Sequence, residues 1–295
     1  MDVREFSSDE LVALVPVPAD DANKYTRGKL TALVGSARYP GAACLVARAS
    51  QRMGAGYTEV VTAPEAMALV HAVSPSLVVR SWEGLQPLDL PVSRPGKPCA
   101  LAVGSGFDAQ DEEAVRLVQF VLKRAQAPVL VDGGGLAALS TKKGRRLLKR
   151  RFILGFPTVI TPHGGEAARL AEPLGLATDD LARLALSLAR AYGVTAAVKG
   201  PDTFISDGDQ VVRMALGTPA LAKAGTGDVL AGLVAALLAQ GLAPLDAAVL
   251  GTSLHALAGR AAEARLTSVC VTAEDVVDFL PEAFKTLVSE GLPTA

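Results

Sequence analysis

The sequence predicts an α/β fold, a three-layer α/β/α sandwich around a mostly parallel central sheet with an antiparallel edge. Short apolar runs alternate with helical stretches over most of the chain, the pattern of successive βαβ units. Glycine-rich segments follow several of these runs. Beyond residue 195 the alternation stops, and three short runs lie close together. These observations predict parallel strands first and antiparallel strands afterwards.

The predicted parallel strands are short, apolar and bounded by Gly, Pro or polar residues, as expected for strands buried on both faces of a sheet. They are Leu30–Val34, Thr58–Thr62, Ala100–Val103, Val129–Val131 and Thr158–Thr161. Between them, helices are predicted at Ala42–Met53, Asp111–Ala125 and Leu181–Ala191. In such a sheet, ligands bind where loops leave the carboxyl ends of the strands.

The later strands are predicted at Ala196–Lys199, Thr203–Ser206 and Val211–Met214. Their connectors contain Gly, Pro and Asp, which favour tight turns, so we expect an antiparallel edge. Two long Ala/Leu-rich helices follow, at about Asp228–Gln240 and Pro244–Ala264, and then a shorter C-terminal pair. Since the sequence has no internal repeat and no long linker, we expect one domain over residues 1–295.

Composition restricts the classes of function. The 295 residues carry 29 Lys and Arg against 30 Asp and Glu, a formal charge of −1, whereas nucleic-acid-binding domains are usually basic. The apolar run at residues 229–239 is about half of the roughly 20 residues that a membrane span needs. Three separated cysteines and no apolar N-terminal signal favour a reducing compartment. We expect a cytoplasmic protein that acts on a small molecule, without nucleic acid or a membrane.

Some polar residues are expected to be structural. The segment Lys142–Arg151 contains seven cationic residues and no acidic one, and we interpret it as the solvated face of a helix. His71 is predicted on a helix surface and His255 between helices. A lone histidine in such a place is more often a satisfied polar residue than a catalyst.

The segment Gly225-Thr226-Gly227-Asp228 carries the strongest indication of chemistry, because it directly precedes an apolar helix. Two glycines allow backbone amides to converge, and the helix N-terminus adds unpaired N–H groups and a positive dipole end. Together they predict an anion hole for a phosphate. Asp228 has two interpretations. It is either an N-cap, which contributes about 1 kcal/mol, or a base that takes a proton from a substrate hydroxyl during phosphoryl transfer.

Two further loops are candidates for the same site. Lys199–Thr203 connects two edge strands, either as an ordinary hairpin or as a place where Lys and Thr hold the phosphates or ribose of a nucleotide. Thr161–Glu166 follows a buried strand and forms a tight turn before a helix. Glu166 there is either purely structural, favoured by the helix dipole, or a ligand of Mg²⁺ through water. His163 stands at the carboxyl end of the strand and is better placed for a ligand than the other histidines.

The order of these segments resembles that of the ADP-dependent NAD(P)H-hydrate dehydratases, a branch of the ribokinase-like superfamily. The matching pieces are Lys24…Gly28, Gly35-Ser36, Gly41-Ala42-Ala43, Gly104-Ser105-Gly106, Asp132, Thr161-Pro162-His163-x-Gly165-Glu166, Lys199-Gly200-x-x-Thr203, Gly225-Thr226-Gly227-Asp228 and Leu238-x-Gln240-Gly241. Gly-Thr-Gly-Asp is shared by the wider superfamily. Thr-Pro-His-x-Gly-Glu together with Lys-Gly-x-x-Thr is more particular to the dehydratases. A Walker-type loop, a dinucleotide-binding Gly-x-Gly-x-x-Gly and a Gly-x-Ser-x-Gly elbow are all missing from the sequence.

The resemblance implies the repair of NADH or NADPH that has acquired water across a ring double bond of the nicotinamide. By this resemblance the S-epimer of the hydrate is expected to be dehydrated with cleavage of ADP to AMP and phosphate, with Mg²⁺ neutralising phosphate charge. Asp228 is expected to activate the hydroxyl, and Gly225, Thr226 and Gly227 to stabilise the transferring phosphoryl group. The resemblance implies nucleotide contacts for Lys199, Gly200, Pro201, Asp202, Thr203 and Gly227, and substrate contacts for Ala42, Gly106, His163 and Asp228.

The chain departs from the family pattern at several places. The usual Asp-Ala-Asp-Ala-Leu is Asp132-Gly133-Gly134-Gly135-Leu136, so a second acidic residue is missing. Arg260 stands where the family usually has Asp, and Tyr25 where it has Gly. The preference for ADP or ATP, and for the hydrate of NADH or NADPH, stays open.

The resemblance also implies a homotetramer that works beside an NAD(P)H-hydrate epimerase. With about 23 residues before Lys24, we expect this chain to lack an epimerase domain, and the epimerase to be a separate protein. Two alternative functions stay open. One is a kinase of the same superfamily that phosphorylates a small vitamin-like alcohol. The other is a nucleotide-binding protein without catalysis, which the departures at Gly134 and Arg260 would explain.

Overall fold

A computed structural model describes residues 2–289, and its strands form a ten-stranded sheet. In chain order the strands are β1 (Val3–Arg4), β2 (Lys29–Leu33), β3 (Tyr57–Thr62), β4 (Val78–Ser81), β5 (Cys99–Val103), β6 (Val129–Val131), β7 (Thr158–Ile160), β8 (Thr195–Val198), β9 (Thr203–Ser206) and β10 (Val211–Met214). Across the sheet the order is β1-β10-β9-β8-β7-β6-β5-β2-β3-β4. Neighbouring strands are parallel except where β9 pairs with β8 and β10.

Helices cover both faces of this sheet. Within the described residues they are α1 (Ser8–Ala13), α2 (Pro40–Arg52), α3 (Pro64–Val73), α4 (Glu112–Arg124), α5 (Ala137–Ser140), α6 (Lys142–Ile153), α7 (Gly164–Ala171), α8 (Leu181–Tyr192), α9 (Thr226–Ala239), α10 (Pro244–Cys270), α11 (Ala273–Asp278) and α12 (Leu280–Ser289). Helix α10 is interrupted near its end at Thr267, whose φ of 70° is not helical. In residues 2–289, no helix combines the length and the apolarity that crossing a bilayer requires.

The predicted fold class is confirmed, and each predicted strand agrees with an observed one to within one residue at either end. The predicted antiparallel edge is present, but one further strand lies beside it. Strand β1 pairs in parallel with β10 and so lies outside the antiparallel strands. Neither β1 nor β4 was predicted, because a two-residue strand has no periodicity and the residues of β4 are only partly buried.

Two hydrophobic clusters lie on opposite faces of the sheet. Along β5, Ala100 and Ala102 belong to one cluster, whereas Leu101 and Val103 belong to the other. This division follows from the alternation of side chains along a strand. The first cluster contains most of α9, which packs against the sheet, α2 and α10. Small residues allow this close packing, since a Cβ at Gly232 would lie only 2.6 Å from the carbonyl oxygen of Val46.

The parallel strands β5, β6, β7 and β8 lie side by side, so their carboxyl ends share one edge of the sheet. The loops that leave these ends begin at Gly104, Asp132, Thr161 and Lys199. The fold therefore brings together four segments that are far apart in the sequence, where an open α/β sheet binds its ligands.

Candidate active site

The segment Gly225–Asp228 forms the N-terminus of α9. Gly225 is the N-cap with a φ of 91°, a left-handed conformation that glycine adopts without steric cost. A Cβ at this position would also lie 2.7 Å from Leu45 Cδ1. Within residues 2–289, no backbone carbonyl accepts a hydrogen bond from the N–H of Gly227 or Asp228. These two amides are therefore available to an anion.

Thr226 has a different part in this turn. It is 6% exposed, and its hydroxyl lies 2.8 Å from the carbonyl oxygen of Leu221 and 2.9 Å from that of Lys223, to which it donates. The Thr226 N–H also donates to the Lys223 carbonyl, over 3.4 Å. The side chain of Thr226 thus holds the loop in place before α9.

Lys199 reaches this turn from the end of β8. Its Nζ lies 3.3 Å from the position that a Cβ of Gly227 would take, and 2.9 Å from Asp132 Oδ1. Asp132 is buried after β6, where it accepts hydrogen bonds from the hydroxyls of Thr161 (2.7 Å) and Ser105 (3.2 Å). A buried carboxylate, itself held by two hydroxyls, therefore fixes the ammonium of Lys199 against the anion hole.

Asp228 is only partly buried, and its carboxyl group has an unusual affinity for protons. Burial raises the pKa of this carboxyl to about 7, and the negative charges of Asp132 and Glu166 act in the same direction. The ammonium of Lys199 and a hydrogen bond from Ser105 oppose the increase. A carboxyl group with a pKa near neutral pH is suited to accept a proton during a reaction.

The four charged groups around the turn are not balanced. Burial opposes the positive charge of Lys199, but the carboxylates of Asp132, Glu166 and Asp228 outweigh this effect, so the pKa of the ammonium is raised. These three carboxyl groups, which we call the carboxylate cluster, thus surround one ammonium at the edge of the sheet. Such an excess of negative charge favours the binding of a cation.

The predicted turn between Thr161 and Glu166 is present and begins α7. His163 is the N-cap, and its Nδ1 accepts a hydrogen bond from the N–H of Gly165 (3.1 Å). Glu166 Oε2 accepts one from the N–H of His163 (2.9 Å), which completes a capping box. Glu166 therefore has the structural part that its position predicts. The side chain of His163 is 58% exposed and is accessible to a ligand.

The loop after β5 places Gly106 against Ala42, which lies in the first turn of α2. A Cβ at Gly106 would lie 2.6 Å from the Cβ of Ala42, and the hydroxyl of Ser36 donates to the carbonyl of Gly106 (2.7 Å). The residue before Gly106 is Ser105, whose hydroxyl donates a hydrogen bond to Asp132. The predicted substrate contacts at Ala42 and Gly106 are therefore adjacent to the carboxylate cluster.

The connector between β8 and β9 is a tight turn at the same edge. Its Lys199 N–H donates to the carbonyl of Pro162 (2.8 Å), which ties this turn to the one before α7. Gly200 and Pro201 are exposed. Asp202 forms an ion pair with Arg213 (2.7 Å), so its carboxylate already has a partner. Thr203 begins β9 and is 5% exposed.

Sequence analysis assigned no role to several residues that build this site. Ser105, Thr161 and Asp132 occur in the sequence motifs without a predicted role. A charged residue directly after a buried strand, such as Asp132, indicates a site at the carboxyl edge of the sheet. His255 on α10 lies between helices, as predicted, and burial lowers its pKa to about 4. Its Nε2 is buried and has no hydrogen-bond partner among the described residues.

The three departures from the family pattern each have a structural counterpart. At Gly134 a Cβ would lie 2.0 Å from the carbonyl oxygen of Phe107, so the loop after β5 occupies the space of a larger side chain. Arg260 Nε donates to the carbonyl of Leu216 (2.8 Å) and supports the segment after β10. Tyr25 stacks on Tyr57, with ring centres 6.1 Å apart. None of these contacts involves Asp228 or the amides of the anion hole.

A cavity of about 460 Å³ adjoins the site. Its lining includes Gly133, Glu166, Tyr39, Asp108 and Arg169. This volume falls within the range of pockets that bind small molecules. The cavity therefore provides room beside the carboxylate cluster for the remainder of a large ligand.

The chain matches a family of known proteins over most of its length. The family model described as NAD(P)H-hydrate dehydratase matches residues 30–282. Among curated proteins, the chain is 32% identical to the ADP-dependent (S)-NAD(P)H-hydrate dehydratase of Xanthomonas campestris, over 90% of this chain and 91% of that protein. It is 31% identical to the bifunctional NAD(P)H-hydrate repair enzyme Nnr of Thermofilum pendens, over 92% of this chain and 53% of that protein. The chain thus spans about half the length of relatives of the second kind.

Solved structures agree with this match. The ADP/ATP-dependent NAD(P)H-hydrate dehydratase from Bacillus subtilis, co-crystallised with ATP and Mg²⁺, superposes with a TM-score of 0.83 at 27% identity. The superposition covers 97% of this chain and 99% of the other. A ribokinase from Thermotoga maritima has the same fold, with a TM-score of 0.50 at 14% identity over 86% of this chain and 98% of the other.

Proposed function

Since the chain belongs to the NAD(P)H-hydrate dehydratase family, we propose that it dehydrates the S-epimer of hydrated NADH or NADPH with cleavage of ADP to AMP and phosphate. The observation that carries this proposal is the convergence of three groups at the N-terminus of α9. They are the unpaired amides of Gly227 and Asp228, the ammonium of Lys199, and a carboxyl group whose pKa is about 7. This combination suits the transfer of a phosphoryl group to a hydroxyl.

The first step is the phosphorylation of the hydrate. The carboxylate of Asp228 accepts the proton of the substrate hydroxyl while the hydroxyl oxygen attacks the β-phosphorus of ADP. The bond from that phosphorus to the bridging oxygen breaks, which releases AMP. Gly225 gives the turn its shape, and the amides that follow it stabilise the charge on the transferring group. Lys199, held by Asp132, supplies a positive charge at the same point.

The second step is an elimination. Hydroxide is a poor leaving group, whereas phosphate is a good one. The lone pair of the ring nitrogen expels phosphate from the adjacent carbon, and loss of a proton from the next carbon restores the ring double bond. The products are NADH or NADPH and phosphate. The protein contributes mainly by binding and orientation in this step.

The two ligands are proposed to approach the reacting point from different sides. The backbone of Gly200–Asp202, together with Lys199, Thr203 and Gly227, contacts the nucleotide. Ala42, Gly106, His163 and Asp228 contact the hydrated nicotinamide nucleotide. Exposed backbone at Gly200 and Pro201 and the exposed ring of His163 support this arrangement, whereas the pairing of Asp202 with Arg213 limits Asp202 to backbone contacts.

A magnesium ion fits this site. Within residues 2–289 no group of three or more His, Cys, Asp or Glu side chains forms a metal cage, but Mg²⁺ usually binds through one or two carboxylates, waters and substrate phosphates. The excess of carboxylates over Lys199 supports such binding, with Glu166, through water, as the group that would hold the ion. When bound, Mg²⁺ neutralises charge on the phosphates.

The proposal is tested by incubating the protein with Mg²⁺, ADP and the S-hydrate of NADH, and by following the absorbance of regenerated NADH. We expect NADH and AMP to appear in equal amounts. Parallel reactions with ATP, and with the hydrate of NADPH, measure the two preferences. A folded protein that binds ADP but regenerates no NADH would contradict the proposal. Accumulation of a stable phosphorylated alcohol would indicate a kinase instead.

The surroundings of the enzyme are part of the same proposal. Only the S-epimer is consumed, so we infer that an epimerase converts the R-hydrate. We propose a single catalytic domain that assembles as a homotetramer in the cytoplasm. The reducing compartment suits the three free cysteines, of which Cys44 and Cys99 are buried. Light scattering of the purified protein measures the number of subunits.

A further inference from the structure

A second concave surface lies far from the carboxylate cluster. It has a volume of about 780 Å³ and is formed by α6, the end of α8 and the turn between β9 and β10. We call it the α6 groove. The residues Tyr192 and Gly193 in its wall precede β8, whereas Lys199 follows β8. The groove is therefore on the opposite edge of the sheet from the candidate active site.

The α6 groove is strongly basic. Its lining contains Lys142, Arg145, Arg146, Lys149 and Arg190, against the carboxylates of Asp207 and Asp209. One of these two carboxylates, that of Asp207, accepts hydrogen bonds from the N–H groups of its own turn (3.0 and 3.1 Å). The groove therefore carries an excess of positive charge on a concave surface, where the field is stronger than on a flat one.

The charges on α6 are unfavourable without a partner. The helix has no acidic residue, and its cations repeat at spacings of three and four residues, where like charges repel. Two lysines also occupy its first turn, where the helix dipole disfavours positive charge. Within residues 2–289, Lys142, Arg146 and Lys149 form no ion pair. An anionic ligand would relieve this repulsion.

Two of the arginines are already held in place. Arg145 donates to the carbonyl of Ser140, and Arg190 Nε donates to the carbonyl of Gly208 (2.7 Å). A guanidinium fixed in this way still has free N–H groups and loses less conformational freedom when it binds phosphate. At the end of the helix, Phe152 also lines the groove and is 67% exposed. An exposed aromatic ring beside cations suits a ligand that has both an aromatic ring and phosphates.

We propose that the α6 groove is a second binding site, for a small phosphorylated molecule of the nucleotide type. Its phosphates contact Arg145, Arg146 and Lys149, and its ring packs on Phe152. The solvated helix face expected from sequence is thus one wall of a groove. A volume of about 780 Å³ accommodates a nucleotide. The concave shape favours a small ligand over a flat anionic membrane surface.

Calorimetric titration of the full chain with ADP tests the proposal. We expect two sites for each chain, one of which binds ADP at least about tenfold more weakly in the double variant Arg146→Gln, Lys149→Gln. The matched control is Lys123→Gln, Arg124→Gln, which removes two exposed cations from the end of α4 and should keep both sites. Turnover of the hydrate should be the same in all three proteins. Identical ADP binding by the wild type and the groove variant would overturn the proposal.

Two further measurements separate the alternatives. Phe152→Ala should weaken ADP at this site while leaving the binding of inorganic tripolyphosphate unchanged, and equal binding of ADP would overturn the ring contact. Co-sedimentation with phosphatidylserine vesicles provides the other comparison. If the groove variant loses vesicle binding but keeps both ADP sites, the basic surface serves a membrane and the proposal is wrong. If the candidate active site binds no ADP, we expect a single ADP site for each chain. Loss of that site in the groove variant would still support binding in the α6 groove.

Discussion

Two clusters of charged side chains in this molecule differ in their balance of charge. On β3 the side chain of Glu59 is 7% exposed and lies 2.7 Å from Lys29 Nζ and 2.7 Å from Arg80 Nε. It also accepts a hydrogen bond from the hydroxyl of Thr31 (3.1 Å). Arg80 also pairs with Asp89 (3.3 Å), so two carboxylates here face two cations and the charge is compensated by the protein alone.

At the carboxyl edge of the sheet negative charge is in excess, because Asp132, Glu166 and Asp228 surround Lys199. Burying charge without compensation is unfavourable, and the protein responds by raising the pKa of Asp228 to about 7. The comparison indicates that the balanced cluster serves stability, whereas the unbalanced one serves a ligand. The four predictions below test that distinction.

The largest effect is expected from Asp228→Asn. Loss of the proposed base should lower turnover of the hydrate by at least about 100-fold, while thermal unfolding and ADP binding show that the protein is folded and still binds the nucleotide. Glu59→Gln is the matched control, since it neutralises a carboxylate in the balanced cluster. If Asp228→Asn keeps its turnover, Asp228 is only a helix cap.

The pH dependence should be the next largest effect. A base must be deprotonated, so turnover by the wild type should rise with pH and level off above about 7, falling about tenfold for each pH unit below that value. Asp132→Asn removes a negative charge that raises the pKa of Asp228, so this limb of the profile should move to lower pH. Profiles of kcat/KM for both proteins check this, because kcat/KM reports the pKa of the free enzyme. An unchanged limb would mean that Asp132 acts only on the position of Lys199.

Glu59→Gln should have its effect on stability and not on turnover. Removing one partner of a buried ion pair leaves the others uncompensated, but Lys29 and Arg80 are 28% and 36% exposed and partly solvated. We therefore expect a decrease of about 1–3 kcal/mol in the free energy of unfolding. Denaturant titration measures it. A large loss of kcat in a protein that remains folded would contradict the distinction between the clusters.

The smallest effect is an increase in stability. Because the pKa of Asp228 is about 7 in the folded protein and 3.8 as its ordinary value, the folded state binds this proton more strongly, and its contribution to stability falls as pH rises between these values. Asp228→Asn should therefore unfold at a higher temperature than the wild type above pH 7, by roughly 2 °C or more. The difference should vanish near pH 4. A difference that does not depend on pH would have another cause.

Much of the fold could be predicted from sequence because it depends on local patterns. The buried strands are short apolar runs, and the turn at Gly225 requires a left-handed residue beside an apolar helix. Strand β1 could not be predicted, since two residues carry no pattern and their pairing with β10 joins segments about 200 residues apart. Asp132 and Lys199 are 67 residues apart, so no spacing in the sequence indicates their ion pair.

Sequence alone determined eight of the ten strands, the loops that leave them and the residue types at the N-terminus of α9. The tertiary structure decided how those residue types behave. It showed that Thr226 holds the loop, that Asp202 pairs with Arg213, and that burial raises the pKa of Asp228 to about 7. The physical reason is that periodicity and turn formation depend on neighbours in the chain. The affinity of a carboxyl group for a proton depends instead on burial and on charges that only folding brings close.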